Sequence, residues 1–271
     1  MRPSILIHGP TASGKTALAI SLAKKLGGEV VNADSMQVYK DLSVISARPS
    51  EEEMADVPHH LFGHVDAAKR YSTGHWLDAA RKALADIERR GKVAIETGGT
   101  GMYFLALVKG LSEIPPVPED VRGDVRAIQQ AEGSAGLHAR LAEVDPDAAA
   151  RLEPGDRQRL MRAYEVWLAT GKPLSSFQGA RTRPILGEGE WMGIALPPPR
   201  ARLYSRIDKR FEGMLMQGAM VEAKALMKRG LDPELPAMNA HGMPWLAAFL
   251  RGEMTAEGAA DEDGRRRGVG G

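Results

Sequence analysis

Eight residues near the start of the chain, Gly9-Pro10-Thr11-Ala12-Ser13-Gly14-Lys15-Thr16, constrain its fold more than any other feature. They match G-x-x-x-x-G-K-[ST]. A short apolar, β-branched run, Ser4 to His8, precedes them, and Lys15 to Leu26 follows with apolar residues at helical spacing. Strand, loop and helix in that order give the pattern a mechanism. The glycines let backbone N–H groups curl around phosphate oxygens, and the helix N-terminus adds a favourable dipole. Lys15 supplies a point charge, and the Thr16 hydroxyl is a ligand for Mg²⁺. A ligand bearing pyrophosphate, held in the nest from Gly9 to Thr16, is the first expectation.

The pattern continues as alternating strand and helix. Gly27-Gly28 closes the first helix, and Glu29 to Ala33 reads as a strand stopping at Asp34-Ser35. Trp76 to Arg90 reads as an amphipathic helix, and Lys92 to Glu96 as a strand entering Thr97-Gly98-Gly99-Thr100-Gly101. Strand character returns at Trp191 to Leu196, and one long helix is expected from about Arg200 to Arg229. The expected fold is therefore α/β, a P-loop NTPase-like parallel sheet flanked by helices. After Leu111, Ile114-Pro115-Pro116-Val117-Pro118 breaks the alternation and charged helical sequence follows, which reads as an inserted helical lobe. The expected division is a core of 1–111 and 190–254, a lobe of 112–189, and an unfolded tail of 255–271.

Composition narrows the function classes. With 36 basic and 35 acidic residues the formal charge is +1, so a nucleic-acid partner would have to be met by local clusters. Arg157, Arg159 and Arg162 form one, and Arg200, Arg202, Arg206, Lys209 and Arg210 another; each also fits a solvated helix face. The chain has no cysteine, which removes disulfides and thiolate metal sites. No apolar run reaches the roughly 18 residues that span a bilayer, so a cytoplasmic protein with no membrane partner is expected.

Several single residues invite chemistry. Asp34, at the strand end, can reach the phosphate crevice either to hold Mg²⁺ through water or to take a proton from a nucleophile, or it can simply form a turn. Glu96 reads as a strand-end acid that ligates magnesium or pairs with a basic neighbour. His59-His60, adjacent on an extended segment, point opposite ways and suit a turn or surface role better than a metal pair.

Taken together, these residues resemble the tRNA dimethylallyltransferase family, also called isopentenyl-diphosphate:tRNA isopentenyltransferases. The resemblance runs from about Ile5 to about Glu253. It rests on the Gly9–Thr16 motif with Asp34-Ser35-Met36-Gln37-Val38-Tyr39, Ala47-Arg48-Pro49, Pro58-His59-His60-Leu61, Gly98-Gly99-Thr100-Gly101-Met102-Tyr103 and Gln158-Arg159-Leu160-Met161-Arg162. It implies transfer of a dimethylallyl group from dimethylallyl diphosphate to the exocyclic amine of the adenine 3′ to the anticodon, with Mg²⁺ present. The nucleotide-binding loop, elsewhere an ATP-binding motif, would hold the diphosphate. The resemblance implies Asp34 as general base, Thr16 and Lys15 at the metal and leaving group, and Arg210 as a diphosphate clamp. It also implies contact with the tRNA anticodon stem-loop by Asp34, Ser35, Met36, Gln37, Val38, Thr100, Arg122, Gln158, Arg159, Leu160, Met161 and Arg162, in a monomer. Where such enzymes continue in a basic, aromatic helical segment, Arg251-Gly252-Glu253 is followed here by a polar stretch. The rival readings are a small-molecule kinase using the loop for ATP and a nucleotide-dependent RNA-binding module.

Overall fold

The computed structural model describes residues 3–177, 179, 181–197 and 213–254. The expected cluster at residues 200–210, with Arg210, and the expected tail at 255–271 lie outside these. Two compact units are present, one built from residues up to Val108 and from Ile185 onward, the other from Lys109–Pro184.

The first unit is organised by a five-stranded, all-parallel sheet. Its strands are β1 (Ser4–His8), β2 (Glu29–Asn32), β3 (His59–His60), β4 (Ala94–Gly98) and β5 (Trp191–Ala195), in the order β3-β2-β4-β1-β5. Parallel pairing places every carboxyl end at one edge, and His8, Asn32 and Gly98 end three neighbouring strands there. Helix α1 (Lys15–Leu26) ends at Gly27 in the left-handed region, φ 63°, which only glycine occupies without strain. Its inner face joins Ile7, Val30, Val93 and Ile95 in an apolar core with Ala19 and Ala23. Burying each large side chain of that kind contributes roughly 1.5–3 kcal/mol.

Two further helices are α3 (Thr73–Arg89) and α4 (Gly101–Lys109), α2 being the single turn Glu51–Met54. Helix α3 begins earlier than its apolar periodicity suggests, because Ser72 caps it: the Ser72 side chain accepts from the His75 N–H, and His75 Nδ1 accepts from the Ser72 N–H. Trp76 is fully buried, stacks on Tyr103 with ring centroids 4.1 Å apart, and donates its indole N–H to the Asn32 carbonyl at 2.8 Å. The histidine pair forms the edge strand β3, and its rings take different partners. His60 Nε2 meets Glu29 Oε2 at 2.6 Å, while His59 Nδ1 meets the Val57 carbonyl at 2.7 Å. Burial works to raise the Glu29 pKa, but hydrogen bonds from Arg90 and His60 outweigh it and hold the carboxyl below its usual range.

Two expectations about elements need correction. Strand β4 runs to Gly98, two residues beyond its expected end, because Thr97 and Gly98 still pair with Ile7 and His8; a Cβ at Gly98 would collide with the Ala33 carbonyl. The long helix expected to reach Arg229 is interrupted: Gly218, at φ 101°, breaks it, and α8 (Ala219–Lys228) starts afresh. Helix α9 (Met243–Leu250) follows it.

The second unit is helical. Helix α5 (Glu119–Val144) is broken at Gly133, φ 70°, and is followed by the single turn α6 (Pro146–Ala149) and by α7 (Arg157–Thr170). Val125, Leu137, Leu141, Leu160, Ala163 and Tyr164 make its core.

Candidate active site

The loop after β1 is built by its backbone. Ala12 and Gly14 both adopt left-handed conformations, φ 63° and 91°, turning the chain back before α1. Gly14 occupies the N-cap position with no side-chain cap, so no side chain of the cap residue covers the N–H groups of the first turn. Lys15 is buried and folds over the loop to donate to the Pro10 carbonyl at 3.1 Å. Ser13 Oγ is buried with no hydrogen-bond partner, and Thr16 is half-buried at the helix start. Gly9 is tightly packed: a Cβ there would stand 2.7 Å from Ser13 Oγ and 3.1 Å from the Leu196 carbonyl.

Asp34 leaves the end of β2 in a tight turn. Its Oδ1 accepts the Met36 N–H at 2.9 Å and the Gln37 N–H at 3.4 Å. Asn32, fully buried, holds it from behind: Asn32 Oδ1 accepts the Asp34 N–H at 2.9 Å, and Asn32 Nδ2 donates to the carbonyls of Asp34 and Leu61. The glycine turn after β4 locks onto the same segment. Thr100 Oγ1 accepts the Ser35 N–H at 2.9 Å and lies 3.2 Å from Ser35 Oγ, and the Thr100 N–H reaches the Ala33 carbonyl.

Gly99 lies between the two motifs. A Cβ built on it would be 3.4 Å from Asp34 Oδ2 and 3.8 Å from the Gly9 carbonyl. The carboxylate oxygen not used by the turn and the first residue of the phosphate loop therefore border the same bare glycine. Gly99 belongs to the glycine turn already singled out in the sequence, whereas Asn32 carried no expectation. The signal for Asn32 was a polar residue at the end of an apolar strand two positions before the acid.

Glu96 is neither an edge ligand nor an ion-pair partner. It sits inside β4, level with Leu6 and Val31, fully buried, and neither carboxyl oxygen has a hydrogen-bond partner. Burial pushes its pKa up to about 8, with its own backbone N–H and then the nearby Ser4 hydroxyl opposing. Among the described residues no group of three or more acidic or histidine side chains is placed to cage a metal. The Thr16 hydroxyl is an oxygen donor of the kind Mg²⁺ takes, an ion that usually keeps several waters and needs few protein ligands.

Within the helical unit, Gln158 and Arg159 are exposed at the start of α7, capped by Asp156. Arg162 is half-buried; burial is the main cause lowering its pKa, with Arg122 adding to it and Glu165 opposing. Arg122 has a buried Nε without a hydrogen-bond partner. Each guanidinium group also has a carboxylate neighbour, Glu119 at 3.8 Å from Arg122 and Glu165 at 3.8 Å from Arg162. Val38 and Leu160 are fully buried, Leu160 in the core of the helical unit, so their side chains face protein. Ser35, Met36, Gln37, Thr100 and Met161 are half-buried.

The sequence matches the family model described as IPP transferase over residues 37–266, and a model described as isopentenyl transferase over residues 3–61. A tRNA dimethylallyltransferase of Hyphomonas neptunium is 68% identical over 261 residues, covering 96% of this chain and 83% of that protein. One from Methylocella silvestris is 53% identical over 256 residues, covering 94% and 84%. Among solved structures, a tRNA isopentenylpyrophosphate transferase from Bacillus halodurans aligns with TM-score 0.66 at 33% identity, covering 98% of this chain and 83% of that one. A eukaryotic dimethylallyltransferase described as acting on tRNA aligns with TM-score 0.79 at 28% identity, covering 98% and 67%. With the family model matching most of the chain and relatives sharing more than half of its residues, the chain belongs to the IPP transferase family.

Proposed function

We propose that this protein transfers a dimethylallyl group from dimethylallyl diphosphate to the exocyclic amine of the adenine 3′-adjacent to the anticodon in tRNA, releasing pyrophosphate. One observation carries the reading: Asp34 Oδ2 and the Gly9 carbonyl border the same bare face of Gly99, so the acid and the phosphate loop are neighbours at the sheet edge.

In this reading the residues from Gly9 to Thr16 hold the diphosphate through backbone N–H groups, with Lys15 exchanging its Pro10 carbonyl for phosphate oxygen. The adenine nitrogen forms a bond to the first carbon of the dimethylallyl group as the carbon–oxygen bond breaks, its electron pair leaving with the diphosphate. The surplus proton on the amine passes to Asp34 Oδ2, while Oδ1 stays committed to the turn. Bound through Thr16 and the diphosphate, Mg²⁺ would supply neutralisation of leaving-group charge. Arg210 is assigned the same task by its motif and lies outside the described residues. Chemistry on a base requires it to be taken out of the stack. Ser35, Met36, Gln37 and Thr100 contact the extruded nucleotide and its neighbours, and Arg122, Gln158, Arg159, Met161 and Arg162 contact the anticodon stem-loop, chiefly through phosphates.

We assign the activity to a monomer in the cytoplasm. No helix among the described residues is long and apolar enough to cross a membrane. Neither the kinase nor the nucleotide-dependent RNA-binding module is favoured, since the similar proteins are named as transferases acting on tRNA. The test is to incubate the protein with dimethylallyl diphosphate, Mg²⁺ and unmodified tRNA and to digest the tRNA for nucleoside mass analysis. A prenylated adenosine is expected; ATP hydrolysis without prenylation overturns the reading.

A further inference from the structure

The segment that carries Asp34 does not hold itself in place. After Val38 it continues through a turn at Ser43, Val44 and Ile45, whose three consecutive backbone N–H groups all end on one carboxylate from far along the chain, Glu222 in the first turn of α8. Glu222 Oε2 accepts from Ser43 at 2.8 Å and from Val44 at 2.9 Å, and Oε1 accepts from Ile45 at 2.9 Å. Just past the other end of α8, Arg229 bridges Asp41 at 2.7 Å and Asp66 at 2.6 Å. The helix therefore holds the turn itself through Glu222 and, through Arg229, the residue two positions before it.

The grip is transmitted to the reacting edge by hydrogen bonds. The Gln37 side-chain amide donates to the carbonyls of Ser46 and Ala47, immediately after the clamped turn. The Gln37 and Met36 N–H groups in turn donate to Asp34 Oδ1. A displacement of Ser43–Ile45 thus moves Gln37, and with it the donors that decide which Asp34 oxygen is left free. The phosphate loop is shaped by other residues, Ala12 and Gly14 at positive φ and Lys15 on the Pro10 carbonyl.

We propose that Glu222 is a positioning residue for the transfer reaction, setting the Asp34–Val38 segment for the nucleotide side of the site and leaving the diphosphate side alone. The inference rests on the proposed prenyl transfer. Three donors on two acceptor oxygens demand a carboxylate: a glutamine would turn an NH₂ group toward one or two of the N–H donors. Aspartate keeps both acceptors and the charge on a side chain one methylene shorter.

The experiment compares the wild-type full chain with Glu222→Gln and Glu222→Asp. Amide hydrogen exchange is read at Ser43, Val44 and Ile45, together with transfer kinetics and dimethylallyl diphosphate affinity measured without tRNA. In Glu222→Gln the three amides should lose protection, and kcat/KM for tRNA should fall at least about tenfold, with diphosphate affinity within about twofold. Glu222→Asp should recover part of both losses. Fast exchange at these amides in the wild type overturns the proposal without any variant. So does an equal loss of diphosphate affinity in Glu222→Gln, or unchanged tRNA kinetics with the amides released. If the wild type transfers no prenyl group, the proposed function fails, while the exchange measurement still tests the clamp.

Discussion

Asp34 Oδ1 accepts the backbone N–H of Met36 at 2.9 Å, which divides the carboxylate into a structural oxygen and a free one. The division separates two effects of substitution that are usually confounded. Asp34→Asn retains an acceptor for the turn and removes the base. It should lower kcat by about 10²–10⁴-fold with dimethylallyl diphosphate affinity unchanged, read by single-turnover transfer beside diphosphate binding. Asp34→Ala loses the turn as well and should also weaken tRNA binding.

Gly99 has a normal backbone conformation, so its replacement tests space rather than strain. The methyl of Gly99→Ala would stand 3.4 Å from Asp34 Oδ2, and the branched side chain of Gly99→Val would fill the gap toward Gly9. Transfer should fall in the order Gly, Ala, Val, while the unfolding temperature changes little. Full activity in Gly99→Val would show that the crevice lies elsewhere.

Glu96 makes the fold sensitive to alkali. Its folded-state pKa of about 8 exceeds the 4.5 of a free carboxyl, so the contribution of the protonated acid is complete below about 4.5 and is lost as pH rises towards 8. Over that window the group should cost roughly 1.4 kcal/mol of stability per pH unit. Glu96→Gln, which does not ionise, should flatten the dependence of chemical unfolding on pH and gain most over the wild type near pH 8. A parallel pair of curves would mean the buried acid is already ionised.

In the helical unit the motif from Gln158 to Arg162 should divide by face. Arg162→Ala should weaken tRNA binding and reduce the slope of log affinity against log salt by about one contact. Leu160→Ala empties a core position and should destabilise that unit by about 2–5 kcal/mol, seen in denaturant unfolding. Its affinity, measured well below the midpoint, should be close to that of the wild type.

The contrast between Leu160 and Arg162 shows what was legible in the sequence. A contiguous motif looks like a list of contacts, but α7 turns successive residues to different sides, and Leu160, Ala163 and Tyr164 already had the i, i+3, i+4 spacing of a buried stripe. The phosphate loop, Asp34 and the turn from Gly98 to Gly101 were readable because their turn chemistry is local. Glu96 was misplaced because β4 continues through Thr97 and Gly98, and strand limits depend on partners the sequence does not display. Asn32 and Glu222 act through neighbours brought in by folding. Glu222 in particular meets backbone groups about 180 residues earlier, which no local pattern announces.

The strand order has a consequence for the newly made protein. Strand β4 is inserted between β1 and β2 although it is synthesised after both. A nascent chain that has left the ribosome only as far as β2 and its turn already contains the phosphate loop and the acid, yet has nothing to hold them side by side. Loop closure over this distance must be completed before the two motifs become neighbours, so the chain cannot acquire reactivity piecemeal during translation.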